Sequence, residues 1–286
     1  MGNTLKTFGL LGLLGALLVL AGNVLGGPRG ALVALVLAAV MNFGAYWFSD
    51  RLVLARYRAR ELAPGENPRL ERIVVNLAAR AGIPRPRIYL LPAGQPNAFA
   101  TGRDPAHAAV AATEGLLELL TDEELEGVIG HELGHVVHRD ILVGTIAATL
   151  AAAVMFLASM ARWGLILGGF GGRDRDEGAG GVLGYLLLVL LAPLAATLVQ
   201  LAVSRSREFA ADQESARLTG NPVGLARALA KIGGLARRVP MDASPATAHM
   251  FIVSPLAGGD AIAKLFSTHP PIEERIRRLV GDRPLF

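Results

Sequence analysis

Four long apolar stretches interrupt an otherwise amphipathic chain, at roughly Phe8–Leu25, Ala31–Phe48, Ile141–Ala161 and Val182–Val203. Each runs about 18–22 residues, near the roughly 20 that carry a helix across a hydrocarbon core of about 30 Å. Gly26-Gly27-Pro28-Arg29-Gly30 reads as a turn between the first two. Trp47 and Trp163 fall at stretch ends, where amphipathic rings favour an interface. A cleaved leader fits the first stretch poorly, because a second apolar stretch follows at once. A buried hairpin in a soluble core is the competing reading of the third and fourth, and their length and near absence of charge weigh against it.

Between the second and third stretches the pattern changes. Leu70, Ile73, Val74, Leu77 and Ala81 recur at helical spacing, which predicts an amphipathic helix over Pro68–Gly82. Arg87–Leu91, Ala98–Thr101 and Ala108–Ala112 are short β-like runs separated by Pro, Gly and Asn. Thr121 opens a further helix with a Thr-x-x-Glu capping box, and the apolar positions Leu125, Val128 and Ile129 carry it on toward the third stretch. Beyond the fourth stretch, Ser206–Leu218, Val223–Leu235 and Pro271–Val280 read as helices. The organisation expected is a membrane hairpin at 1–50, a first catalytic part at 51–140, a second hairpin at 141–203 and a second catalytic part at 204–286.

Composition reinforces the membrane reading. Hydrophobic residues make up 52% of the chain and charged ones 18%, against about a quarter charged in soluble domains. Arginines cluster beside apolar runs, at Arg51, Arg56, Arg58 and Arg60 and again at Arg205 and Arg207. Basic residues mark cytoplasmic flanks, so both termini and the 51–140 region are placed in the cytoplasm. No basic stripe is interleaved with aromatics, and nucleic acid is not an expected partner. The absence of cysteine removes disulfides, thiolate ligands and a thiol nucleophile.

The candidate chemistry lies in His131-Glu132-Leu133-Gly134-His135. Residues four apart share a helix face, so both imidazoles reach one metal ion, while Glu132 is rotated by about 100° and is free to act as a base. Zinc suits such a site, because it acidifies a bound water and polarises a carbonyl. A catalytic zinc needs a third protein ligand. His138 lies near the same face, but one straight helix does not wrap three ligands around a tetrahedral ion. Glu208 is the better choice, with Asp212 four residues on to orient a ligand imidazole. In isolation a solvated acidic pair would look the same. The topology decides: if the third and fourth stretches form a hairpin, His135 and Glu208 return to one membrane face.

With these motifs in place, the sequence resembles the HtpX family of bacterial membrane metalloproteases, relatives of the CAAX prenyl-protein endopeptidases. The resemblance rests on Pro96–Gly102, on His131–Asp140, on Ser206–Asp212, on Ala248–Ile252 and on Leu265–Arg275. It implies a mainly α fold: four transmembrane helices plus a cytoplasmic gluzincin-type α+β domain with a small sheet. The implied activity is hydrolysis of misfolded or damaged membrane proteins at the cytoplasmic face of the inner membrane, by Glu132-assisted attack of zinc-bound water. It further implies that His269 stabilises the oxyanion with help from Arg275, and that Asn97, Ala98, Phe99 and Ala100 form an edge strand for an extended substrate. Competing readings are a CAAX-type processing protease, whose relatives have more membrane helices, and a non-catalytic zinc-binding or scaffold protein, which would not require Glu132.

Overall fold

A computed structural model describes residues 3–149, 151, 205–236, 247–253, 269–282 and 285. Most of the third apolar stretch, all of the fourth and the glycine-rich loop Gly168–Gly181 lie outside the described residues.

The N-terminal helical run, α1, extends over Asn3–Arg56, but it is not straight. Gly27 has φ +61° and Pro28 follows it. Asn42 Nδ2 donates to the carbonyl of Leu11 at 3.1 Å, although a straight helix would hold residues this far apart in sequence about 46 Å from each other. The chain therefore doubles back within Gly26–Gly30. At Gly27 the left-handed conformation suits a residue without Cβ.

Strand β1 (Arg60–Glu61) is followed by α2 (Pro68–Ala81). The Asn67 side chain caps α2 by accepting from Leu70 N, and Gly82 ends it at φ 66°. Then come β2 (Arg87–Leu91), β3 (Ala98–Thr101) and β4 (Ala109–Thr113). The sheet order is β1-β2-β4-β3, with β2 and β4 parallel and β3 antiparallel to β4. Helix α3 (Glu114–Leu119), which the sequence pattern does not predict, leads into α4 (Asp122–Val137). After the fourth apolar stretch come α5 (Arg205–Thr219), α6 (Pro222–Ala236) and the last helix, α7 (Ile272–Val280).

Alternation along the strands gives the sheet two covered faces. Ile88, Ala98, Ala100, Val110 and Ala112 pack toward α2 and α4. Tyr89, Leu91, Phe99, Ala109 and Ala111 pack instead against Val53 and Leu54 of α1, Tyr57 just beyond it, and Phe251. The last turns of α1 thus belong to the core of the folded domain.

The continuous helix expected from Thr121 to the third stretch is interrupted. His138 closes α4, Arg139 takes φ 57°, and the Asp140 amide returns to the His135 carbonyl at 2.8 Å. Residues 141–149 then form a new helix.

Helix α4 approaches its neighbours through Gly127, Gly130 and Gly134. A Cβ on Gly134 would sit 3.1 Å from Ala211 Cα, and one on Gly130 would sit 3.0 Å from Ser215 Oγ. This closeness brings α5, with Glu208 and Asp212, against the histidines. A Cβ on Gly127 would lie 2.5 Å from the backbone nitrogen of Leu225, whereas one on Gly234 would meet nothing within 4 Å. Gly127→Ala is expected to destabilise the protein by about 1–3 kcal/mol. Gly234→Ala should be neutral or slightly stabilising, through its helix propensity. Thermal denaturation in detergent checks both.

Candidate active site

Helix α4 is fixed at its start by the expected capping box. The Thr121 amide donates to Glu124 Oε2 at 2.9 Å, Thr121 Oγ1 accepts from Glu124 N, and Lys231 of α6 clamps the same carboxylate at 2.8 Å. Two turns further on, α4 presents His131 and Glu132, which are 1% and 2% exposed, and the less buried His135.

Glu208 faces both imidazoles. Its carboxylate lies 3.8 Å from His131 Nε2 and 3.6 Å from His135 Nε2, and the two Nε2 atoms are 3.2 Å apart. Ligand bonds of 2.0–2.2 Å around a tetrahedral zinc ion place donor atoms roughly 3.3–3.5 Å from one another. The triangle therefore fits such an ion. Among the described residues these three form the one His/Cys/Asp/Glu group with this convergence. His138, by contrast, is an exposed C-cap.

Each of the three side chains is braced from behind. His131 Nδ1 lies 2.9 Å from Asp212 Oδ1, and Arg275 holds both oxygens of Asp212, at 2.7 and 3.0 Å. His135 Nδ1 faces Asp140 at 3.3 Å, and Arg207 approaches the other Asp140 oxygen at 3.4 Å. His269 Nδ1 contacts Glu208 Oε2 at 3.0 Å. Helical spacing makes Asp212 legible in the sequence. Asp140 is not, because only the left-handed turn at Arg139 brings it back to His135.

The electrostatics follow from burial among these charges. Burial pushes Glu132 up to about 7, with the Glu208 charge adding to it against the opposing pull of His135 and the Ala100 amide. A carboxylate poised there suits proton transfer near neutral pH. Burial, and then the Arg275 charge, lower His131 to about 4, so this imidazole is neutral as a ligand requires. Burial also lowers His135, but the Asp140 hydrogen bond and the Glu208 and Glu132 charges outweigh it and lift the ring to about 9. A dication at the triangle would displace that proton. Glu208 resists the upward push of burial and falls well below the usual carboxylate range, under the influence of His269, His135 and His131. Asp212 likewise overcomes burial and drops to about 2 beside Arg275 and His131.

Of the remaining sequence-predicted residues, His269, Arg275 and Ala100 are brought to the site, and Asn97, Ala98 and Phe99 do not line it. His269 is engaged on both ring nitrogens, by Glu208 and by the His249 carbonyl at 3.1 Å, which sets it directly against one member of the triangle. Arg275 is 1% exposed, bonds to Asp212 and the Ile252 carbonyl, and brings its Nη2 to 3.3 Å from His131 Nδ1. Strand β3 does lie at the sheet edge. Asn97 shares a ladder bond with Thr113, so Ala98 and Ala100 turn their peptide groups away from β4. That outer edge is partly filled by the chain itself. The Ala98 carbonyl accepts from Ile252 N, and the Asn97 side chain bonds to Val253. The Phe99 ring is buried in the aromatic cluster. Only Ala100 of the four lines the cleft, and its amide points to Glu132.

The cleft runs past Glu132, His135 and Glu208. Its walls include Ile141, Gly144 and Thr145 from the start of the third apolar stretch, and His249 and Met250. The sequence pattern did not single out Ile141, Gly144 or Thr145, since small and apolar types carry no signal of their own, whereas His249 and Met250 lie in the Ala248–Ile252 motif.

A triangle that could hold a metal ion, with a buried carboxylate beside it, is the arrangement a metallohydrolase needs. Residues 64–282 match the family described as Peptidase family M48. The chain is 56% identical over 284 residues to the "Protease HtpX homolog" of Desulfatibacillum aliphaticivorans, covering 99% of this chain and 91% of that protein. It is 58% identical over 278 residues to the protein of the same name from Syntrophotalea carbinolica, covering 97% and 98%. The chain belongs to peptidase family M48, among its HtpX-type proteases, and is a metalloendopeptidase. The crystal structure of S. mikatae Ste24p aligns with a TM-score of 0.48 at 21% identity, over 85% of this chain and 57% of that one.

Proposed function

We propose that the protein is a membrane-anchored zinc endopeptidase that hydrolyses misfolded or damaged membrane proteins at the cytoplasmic face of a bacterial inner membrane. The observation that carries the reading is the His131–His135–Glu208 triangle with Glu132 buried beside it. Zinc held there would act as a Lewis acid on the scissile carbonyl and lower the pKa of a coordinated water. Glu132 takes the proton released as water attacks, and returns it to the departing amine. Asp212 and Asp140 hold the two imidazoles in the required orientation, and His269 holds Glu208. The Ala100 amide steadies Glu132 and borders the position of the substrate backbone.

The membrane assignment is supported by Gly27–Arg56, 30 residues of helix with a window of mean hydropathy 1.9 and little burial. Phe43, Trp47 and Phe48 are exposed along it. Arg103, from the loop after β3, lies 4.9 Å over the Trp47 ring, which suits a domain seated at the bilayer surface. The multi-pass topology, the cytoplasmic orientation and the quality-control role rest on the apolar stretches, the arginine distribution and the likeness to HtpX proteases.

Purified protein in detergent is expected to cleave casein. Treatment with 1,10-phenanthroline should abolish cleavage, and one equivalent of zinc should restore it. Undiminished cleavage by protein verified as metal-free would contradict the proposal.

A further inference from the structure

Two chains of contacts leave the ligand triangle, and both end on the same short segment, residues 247–253. From Glu208 the path runs to His269 Nδ1 at 3.0 Å, and from His269 Nε2 to the His249 carbonyl at 3.1 Å. From His131 it runs through Asp212 to Arg275, whose Nη1 donates to the Ile252 carbonyl at 2.9 Å. The same segment supplies His249 and Met250 to the cleft wall. Its placement therefore sets both the width of the cleft and the bracing of two metal-ligand side chains.

Several attachments hold it. The Ile252 amide donates to the Ala98 carbonyl at 3.0 Å, the Asn97 side chain bonds to Val253, and His249 Nε2 lies 3.2 Å from the Gly144 carbonyl. At its start, Thr247 Oγ1, which precedes the 3-10 turn Ala248–Met250, is joined to the hydroxyl of Tyr57 in a buried hydrogen bond. Tyr57 is the first residue past α1. Its ring meets Phe251 edge-on at 5.0 Å and Phe99 at 6.1 Å, in the cluster that also buries Val53 and Leu54. The ring packs in the cluster, and the hydroxyl reaches the start of the segment.

We infer that Tyr57 is a positioning residue for catalysis. Through Thr247 it sets the 247–253 segment, and so couples the end of the apolar helix α1 to the cleft wall and to the side chains that brace the ligands. On this account α1 is part of the catalytic framework as well as a tether.

The test separates the hydroxyl from the ring. Tyr57→Phe keeps the ring in its cluster, and Thr247→Ser keeps a hydroxyl at the other end. Full-length protein in detergent, loaded with zinc, is assayed on casein or a fluorogenic peptide. Tyr57→Phe and Thr247→Val are each expected to lower kcat/KM about three- to tenfold, the scale of one buried hydrogen bond, with bound zinc unchanged. Thr247→Ser should stay near wild type. The double variant Tyr57→Phe/Thr247→Val should be no worse than the weaker single, because both remove the same bond. Hydrogen exchange over 247–253 should accelerate by a comparable factor in Tyr57→Phe, while exchange in α6 stays unchanged. Wild-type kcat/KM in Tyr57→Phe, multiplying losses in the double variant, or exchange that speeds up equally in α6 would each overturn the inference.

Discussion

Glu132→Gln should lower the rate of peptide-bond cleavage by roughly 10²–10⁴-fold, the range for loss of a positioned acid–base group. The glutamine amide is nearly isosteric with the carboxylate, and it keeps an acceptor for the Ala100 amide that Glu132 now engages. It cannot take a proton from water. Glu132 is separate from the three convergent metal-binding side chains, so bound zinc should be unchanged. Casein cleavage, with metal content measured on the same preparation, reads both quantities. Loss of zinc together with activity would assign Glu132 to the ligand set instead.

Replacing Arg275 with leucine is expected to cost about 3–5 kcal/mol of stability, because one partner of a buried ion pair is removed and the other is stranded. Arg275 is among the largest fully buried side chains and spans both Asp212 oxygens and the Ile252 carbonyl. Without it, Asp212 is a buried carboxylate whose chief remaining partner is His131. Replacing both residues by apolar ones, Arg275→Leu with Asp212→Leu, should recover part of the lost stability while leaving His131 unoriented. Thermal unfolding in detergent measures the first effect. A single variant as stable as wild type would show that the pair is not held as described.

The site was legible where local geometry carries it. Thr121 and Glu124 announce the start of α4, and the four-residue spacing puts His131 and His135 on one face. Glu208 required a topological argument, and it lies across the triangle from both histidines. Asp212 was also legible, again through helical spacing. Long-range placement was the harder part. Nothing local says that β2 pairs parallel with β4 rather than with β3. Nor does the pattern reveal that residues 252 and 253 come back to occupy the outer edge of β3 at Ala98 and Asn97. That return is why an edge strand expected to receive substrate over Asn97–Ala100 offers only Ala100 to the cleft. The contacts of His269 were out of reach for a related reason. Its motif points to the active site, but its partners, Glu208 and the His249 carbonyl, lie 61 and 20 residues away and are fixed only by the fold. The hydrophobic pattern located the apolar helix α1. It ended that stretch at Phe48 and assigned 51–140 to the catalytic part, without disclosing that α1 continues to Arg56 and that Val53 and Leu54 complete the core of the sheet's second face.

The central claim is that His131, His135 and Glu208 together hold one zinc ion, and Glu208 is the ligand reached by the longest inference. The most direct test measures zinc per chain, by mass spectrometry of exhaustively dialysed protein, in wild type and in Glu208→Ala. The account predicts about one zinc per chain in wild type and little or none in Glu208→Ala, with the variant still folded. Equally tight, equimolar zinc in Glu208→Ala would contradict it, and would mean that the third ligand lies elsewhere.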